Sequence, residues 1–318
     1  MIATRIRALL LGAALACGAA AAAAYPDKPV QYIIPFTPGG ESDYVARQQA
    51  EVFRQKFKQT MVVQNKPGAG GGLVWSQLNG LPADGYTLAG VNLPHIVLQP
   101  LEPNGAAGYK TEDIAPVYFY HFTADVVLVP ADSPFKTLQD LVKAAKDKPG
   151  TLTFAGSGSF SANHMAHERL NKLTGTKTVY VPFKGTGDLL TSMLGKHVDA
   201  AMTYLPFAIQ QKGRMRMLAV ASENRHAAFP DTPTFKELGF QWVDGAYRGI
   251  ALPKSTPPDV QKQVSDMMHV LNTEPELRRR LSEAGYDVVD ITVEKMPAFL
   301  AERTREYMQD ARDAGLIK

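Results

Sequence analysis

The stretch Ile33-Ile34-Pro35-Phe36-Thr37-Pro38-Gly39-Gly40-Glu41-Ser42-Asp43 decides how the chain folds. The apolar run from Val30 to Ile34 reads as a buried strand. Two prolines and two glycines make a loop. Ser42 or Asp43 then caps a helix whose inner face is Val45, Ala46, Gln49, Val52, Phe53 and Phe57. Strand, glycine loop and helix N-terminus together form a cup for an anion. Gly39 and Gly40 let bare backbone approach a ligand, and the unpaired N–H groups of the helix point at it. An ordinary βα turn has the same grammar. The site reading is preferred because the loop lies at a strand's C-terminal end, where α/β folds place their ligands.

The same grammar recurs downstream. Thr60 to Asn65 is a strand ending in the glycine-rich Lys66 to Gly72, with a short helix from Leu73 to about Asn79. No Gly-Lys-Ser/Thr follows, so this is a βα connection and not a nucleotide loop. Tyr86 to Val91 is the third strand, and Asn92 at its end falls beside the first cup. Ile114 to Tyr120 fits a helical turn or a short strand equally well. Asp125 to Pro130 is a strand, and Leu138, Leu141, Val142 and Ala145 form one face of a following helix. Leu152 to Ala155 then runs into Gly156-Ser157-Gly158-Ser159-Phe160-Ser161 and a helix from Ala162 to Leu173 that Ser161 caps. This is a second cup, far from the first in sequence, as expected if two lobes each supply one wall of a cleft. Val198 to Met202 and Met215 to Ala221 are strands, Asp231 to Gly239 a short helix, and Tyr247 to Pro253 a strand returning toward the first lobe. From Pro257 the pattern is helical, interrupted by a strand at Tyr286 to Val289.

Composition bounds the function. The chain has 318 residues, 45% of them hydrophobic and 20% charged, with a formal net charge of +3. Arg5 and Arg7 lie in a segment expected to be removed, which leaves the charge near balance and argues against nucleic-acid or anionic-membrane binding. Residues 1–24 have the outline of a secretory signal: a charged start, the apolar run Ala8 to Ala16, and Ala22-Ala23-Ala24 before Tyr25. Cys17 is the single cysteine; Leu15 sits one place off for a lipid anchor, and cleavage after Ala24 leaves a mature chain without thiol chemistry. A periplasmic protein is expected, and a monomer.

Catalytic groups are sparse. His164 and His167 are three apart and do not make H-E-x-x-H. Ser157, Ser159 and Ser161 lack the G-x-S-x-G elbow. Asp43 and Asp199 read as hydrogen-bonding termini. Two cups of amides, hydroxyls and rings suit holding a small anion without transforming it, so no enzyme, metal or cofactor is expected.

Several stretches together resemble the tripartite tricarboxylate transporter substrate-binding family, the periplasmic receptors also called Bug proteins. They are Tyr25 to Val30, Pro35 to Arg47, Asn65 to Gly71, Ala83 to Leu88, Val181 to Gly185 and Phe229 to Thr234, in the family's order along the mature chain. The resemblance implies a two-lobed α/β periplasmic binding fold of the Venus-flytrap type, each lobe a mostly parallel sheet flanked by helices, with two crossover strands. It divides the chain into a signal at 1–24, a first lobe at 25–123 and 249–318, and a second lobe at 124–248. It implies a carboxylate held by Phe36, Gly39, Gly40 and Asp43 on one side, and by Ser157, Gly158, Ser161 and His164 on the other. Lys184, Thr203 and Tyr204 also fall at pocket positions. It further implies delivery of a small organic acid to the membrane subunits of a transporter; a sensing receptor, and an enzyme on the same scaffold, are the alternatives.

Two departures stand out. Phe160 replaces a loop glycine usual in the family, and Tyr247 replaces its tryptophan, followed by Arg248. Arginine binds carboxylate as a two-pronged donor. The expectation is that Arg248 holds a distal carboxylate while Phe36, Phe160 and Tyr247 flank a flat body, which favours an aromatic mono- or dicarboxylate. The opposing reading packs both rings within the lobes and pairs Arg248 with a surface acid.

Overall fold

The computed structural model describes residues 25–103 and 107–318. The expected signal segment and Cys17 lie outside the described residues. One twisted sheet runs through the molecule. Its strands in chain order are β1 (Val30–Ile34), β2 (Met61–Asn65), β3 (Thr87–Leu93), β4 (Ile114–Pro130), β5 (Thr153–Ser157), β6 (Val179–Phe183), β7 (Ala200–Tyr204), β8 (Met215–Val220), β9 (Gly245–Pro253) and β10 (Asp287–Ile291). The spatial order is β2-β1-β3-β9-β4-β7-β5-β6, with β8 and β10 also paired to β4.

The parallel parts are β2-β1-β3 and β7-β5-β6. Their strands are joined through helices, as parallel pairing requires. Between them lie the antiparallel partners β9 and β4, so the sheet is mixed. Strand β4 settles the ambiguity at Ile114 to Tyr120. It is one long strand that pairs with β9 from Ile114 to Ala124 and with β7 from Asp125 to Leu128. It thereby passes from one lobe to the other without a loop. The aromatic run Tyr118-Phe119-Tyr120 is buried on both faces, which erases the alternation that marks a half-exposed strand.

Ten helices pack on these strands among the described residues: α1 (Glu41–Phe57), α2 (Gly72–Gln77), α3 (His95–Leu98), α4 (Leu138–Asp147), α5 (Ala162–Thr174), α6 (Leu189–Leu194), α7 (Leu205–Gln210), α8 (Pro258–Asn272), α9 (Pro275–Glu283) and α10 (Met296–Asp313). Helices α1, α8, α9 and α10 close the first lobe, with Val45, Phe53, Val264, Met268, Leu277 and Tyr307 in its core. Two larger apolar clusters fill the second lobe. One holds Leu189, Met193 and Phe207, the other Leu138, Leu170, Phe235 and Trp242.

Residues 231–239 form turns and not the expected helix. A reciprocal capping pair is present, since Glu237 N–H donates to Thr234 Oγ1 and the Glu237 carboxylate accepts from Thr234 N–H. Gly239 then takes a φ of +88° and turns the chain after a single turn, so that Phe235 stacks on Trp242 at 4.0 Å.

Candidate functional site

Helix α1 begins at Glu41 with Gly40 as its N-cap, not Ser42 or Asp43. Asp43 stands in the first turn, and its carboxylate reaches back to accept from Gly39 N–H at 3.0 Å. Arg47 grips the same carboxylate at 2.8 Å. Asp43 therefore braces the glycine loop. In the second cup, Ser161 caps α5 as expected: its hydroxyl accepts from His164 N–H at 3.1 Å and donates to the Gly158 carbonyl at 2.9 Å.

The two cups face each other across a narrow cleft. Phe36, Gly40, Glu41, Ser42, Asn92, Ser157, Thr186, Tyr204 and Arg248 line one cavity of about 10 Å³, room for about one water. A molecule with two carboxyl groups enters only when these walls separate. Six of the nine, Phe36, Gly40, Asn92, Ser157, Tyr204 and Arg248, were expected from the sequence; Glu41, Ser42 and Thr186 were not. The turn at residues 184–187 packs so tightly on the first lobe that a Cβ at Gly187 would lie 2.3 Å from the Pro38 carbonyl oxygen.

The other expected residues stand around this cavity. Gly39 borders a separate hollow of about 190 Å³ along the same seam, with Tyr44, Phe207 and Tyr286. Gly158 and Lys184 line a groove at the far side of the cleft, with Gly70 and Gln99. The His164 ring stacks on Tyr180 at 4.4 Å and accepts from Phe160 N–H. Burial pulls its pKa down to about 4 despite the opposing charge of Glu168. Thr203 is fully buried on β7, and its hydroxyl has no partner among the described residues. Phe160, at a φ of +50°, reaches into the first lobe's apolar core. Tyr247 packs on Phe122 and Phe299 at 4.9 and 5.1 Å. Neither ring is among the cavity walls.

Alternation along β9 sends Arg248 inward where Tyr247 goes outward. Arg248 lies opposite Asn92 on β3 and His121 on β4, next to a register shift between Phe119 and His121. It is only 1% exposed. Its guanidinium sits 4.3 Å over the Tyr204 ring, donates to Thr123 Oγ1, and lies 3.7 Å from the Glu41 carboxylate. The acid it meets is thus the chain's own, and a buried one. Glu41 also accepts from Thr186 Oγ1 at 2.6 Å, which ties the first lobe to the second. The positive field of Arg248 adds to burial in holding two neighbouring histidines neutral. His95 is brought down to about 3 and His121 well below its usual value.

A cleft between two lobes, lined by a helix N-terminus, hydroxyls, rings and one guanidinium, can enclose a small acid. Among the described residues no group of three or more His, Cys, Asp or Glu is placed to hold a metal ion, and no helix is long and apolar enough to cross a membrane.

Comparison with known proteins agrees with this geometry. Residues 45–313 match the family described as tripartite tricarboxylate transporter family receptor. The chain is 31% identical over 316 residues to the UPF0065 protein in the gbd 5' region of Cupriavidus necator, covering 97% of this chain and 94% of that one. The periplasmic binding protein BugD superposes with a TM-score of 0.85 at 27% identity, covering 92% of this chain and all (100%) of BugD. The fold is shared also with R. palustris Rpa4515, solved with adipate, at a TM-score of 0.85 and 24% identity over 92% of this chain and 98% of that one. The sheet order, the facing cups and these matches together place this chain in the tripartite tricarboxylate transporter receptor family, the periplasmic binding proteins that include BugD.

Proposed function

We propose that the chain is a periplasmic solute-binding receptor. It captures a small carboxylate, with aromatic mono- or dicarboxylates preferred, and delivers it to the membrane subunits of a tripartite tricarboxylate-type transporter. The observation that carries the reading is the one buried guanidinium among the described residues, Arg248, at the meeting point of two lobes whose loops both end in helix N-termini. Arginine provides charge-assisted, paired hydrogen bonds to a carboxylate. The N–H groups of the first turn of α1, with Ser157 and Thr186 from the other lobe, complete the grip. Phe36 and Tyr204 supply ring faces for a flat body, which is what favours an aromatic acid. The binding set is Phe36, Gly39, Gly40, Asp43, Asn92, Ser157, Gly158, Ser161, His164, Lys184, Thr203, Tyr204 and Arg248, with Phe160 and Tyr247 acting from behind. The expected signal at residues 1–24 sends it to the periplasm, and it works there as a monomer. Binding closes the lobes about β4 and β9, and the closed face is what the membrane subunits read.

A thermal-shift screen of the purified protein against aliphatic and aromatic carboxylates tests this. A ligand raises the melting temperature by mass action. Stabilisation by a restricted set of acids, without turnover of the bound acid, supports the receptor. A panel in which no carboxylate raises the melting temperature, or in which a bound acid is converted, overturns it.

A further inference from the structure

Arg169 joins three parts of the molecule. It lies on α5, the helix whose N-terminus carries Ser161 and His164 of the second cup. Its Nη1 donates to the Asp244 carboxylate at 2.8 Å, and its Nη2 lies 2.8 Å from the Asp310 carboxylate. Asp244 marks the place where the chain crosses between the lobes. Its carbonyl accepts from Asp125 N–H, at the point where β4 exchanges β9 for β7, and β9 begins at the next residue, Gly245. Asp310 belongs to α10, whose Tyr307 and Ala311 lie in the first lobe's core. One turn beyond Arg169, Lys172 reaches the same helix and donates to the Asp313 carbonyl, where the negative end of the helix dipole favours a cation.

Helix α10 passes behind the crossover strands. Its Phe299 and Arg303 pack on the Tyr247 ring at 5.1 and 6.0 Å, and Tyr247 stands on the face of β9 opposite Arg248 and the cleft cavity. The second lobe is thus fastened to the first behind the crossover strands as well as within the cleft, where Thr186 bonds Glu41. The rear pair is made in a structure whose cleft is shut down to a cavity of about 10 Å³. Asp244 sits at the pivot, but Asp310 stands on a helix one layer away from it. Rotating the lobes apart about β4 and β9 therefore displaces Arg169 from Asp310. The two side chains are 24% and 32% exposed, partly withdrawn from water, where salt screens a pair less than on the open surface.

We propose that Arg169 and Asp310 are positioning residues for ligand capture: a tie behind the hinge that is made as the lobes close and that holds the second cup against the first. The inference rests on the receptor reading above. Neither side chain lines the cleft cavity. Both act through α5, a rigid element that spans about 12 Å from Arg169 to Ser161. An interaction present in the closed arrangement alone raises affinity for any ligand that the closed arrangement holds.

Isothermal calorimetry on the purified protein, freed of carried ligand, tests this. The probes are succinate, glutarate, adipate, benzoate and terephthalate, and the tightest binder is carried through the variants. Asp310→Asn keeps the shape and removes the charge; it should weaken binding at least threefold. Asp310→Glu keeps the charge and should recover at least half of that loss on a logarithmic scale. Asp147→Asn breaks an exposed ion pair with Lys143 on the second lobe and should leave affinity unchanged. A loss below threefold in Asp310→Asn, a smaller recovery in Asp310→Glu, or an equal loss in Asp147→Asn overturns the inference and leaves the receptor standing. Binding of none of the probes overturns both. Should Asp310→Asn not fold, Arg169→Lys decides by the same threshold, because it keeps the charge beside Asp244 and loses the fork that spans both acids.

Discussion

Gly158 of the second lobe and Gly70 of the first meet backbone to backbone across the cleft: a Cβ on Gly158 would stand 2.8 Å from the Gly70 Cα. Gln99 fastens the contact, its side-chain N–H₂ donating to the Gly70 carbonyl at 2.9 Å. Two residues without side chains let the lobes close further at this point than any other pair would.

Gly158→Ala should therefore oppose closure. The position has a φ of +76°, so alanine is strained there whether or not the lobes are shut. Gly150, with a φ of +75° and nothing within 4 Å of an added Cβ, carries the strain alone. Both alanine variants should lose about 1 kcal/mol of folding stability. Only Gly158→Ala should weaken binding of an acid found by the screen, by tenfold or more in calorimetry. Equal affinities in the two variants would mean that this contact does not govern closure.

The backbone plan of the site was legible in the sequence, and its charges were not. Strand, glycine loop and helix at residues 30–57 and again at residues 153–174 are local patterns, and both cups formed. The long strand through residues 114–130 was obscured because burial on both faces removes periodicity. Glu41 lay in full view within the quoted loop, yet an acid in the first turn of a helix is usual and already explained by the helix dipole. Its meaning comes from Arg248, which the pairing of β9 with β3 and β4 brings beside it, and from Thr186, which reaches it from the other lobe. The alternation of β9 likewise fixes that Tyr247 and Arg248 point to opposite sides, but not which side faces the cleft.

Arg248 gives the most direct test of the grip on a carboxylate. Deleting it would strand Glu41 as a buried unpaired charge, which costs about 3–5 kcal/mol and confounds binding with folding. Arg248→Lys keeps the charge and loses the two-pronged geometry. Affinity for the best acid in the screen should fall at least tenfold by calorimetry, with the melting temperature of the free protein lowered by only a few degrees. A loss under threefold, less than about 1 kcal/mol, would remove Arg248 from the binding set.

Acid should loosen the fold through its buried histidines. His95 packs edge-on to Phe36 and Trp75, and His121 lies between Tyr120 and Tyr286; both rings are fully buried beside Arg248. Burial first, then the guanidinium, lowers their folded-state pKa values, His95 to about 3 and His121 well below the ordinary value, while His164 is lowered to about 4. In the unfolded chain each titrates near pH 6.5. The unfolded state therefore binds more protons as pH falls below about 6.5, and stability drops with it. It is fully present above that pH and is lost progressively toward the folded-state values. For His95 and His164 this costs on the order of 2 kcal/mol each at pH 5, and His121 acts in the same direction. Asp125 and Asp244, whose pKa values burial raises, act in the opposite direction and offset part of this. Comparing wild type with His121→Phe cancels their contribution, because both proteins carry the same carboxylates. Urea denaturation at pH 7.5 and pH 5.0 should show the wild type losing more stability than His121→Phe between the two conditions, by well over about 0.5 kcal/mol. The same pH dependence in both proteins, to within about 0.5 kcal/mol, would mean that His121 takes up its proton in the folded state as readily as in the unfolded one, and that burial beside Arg248 does not hold it neutral.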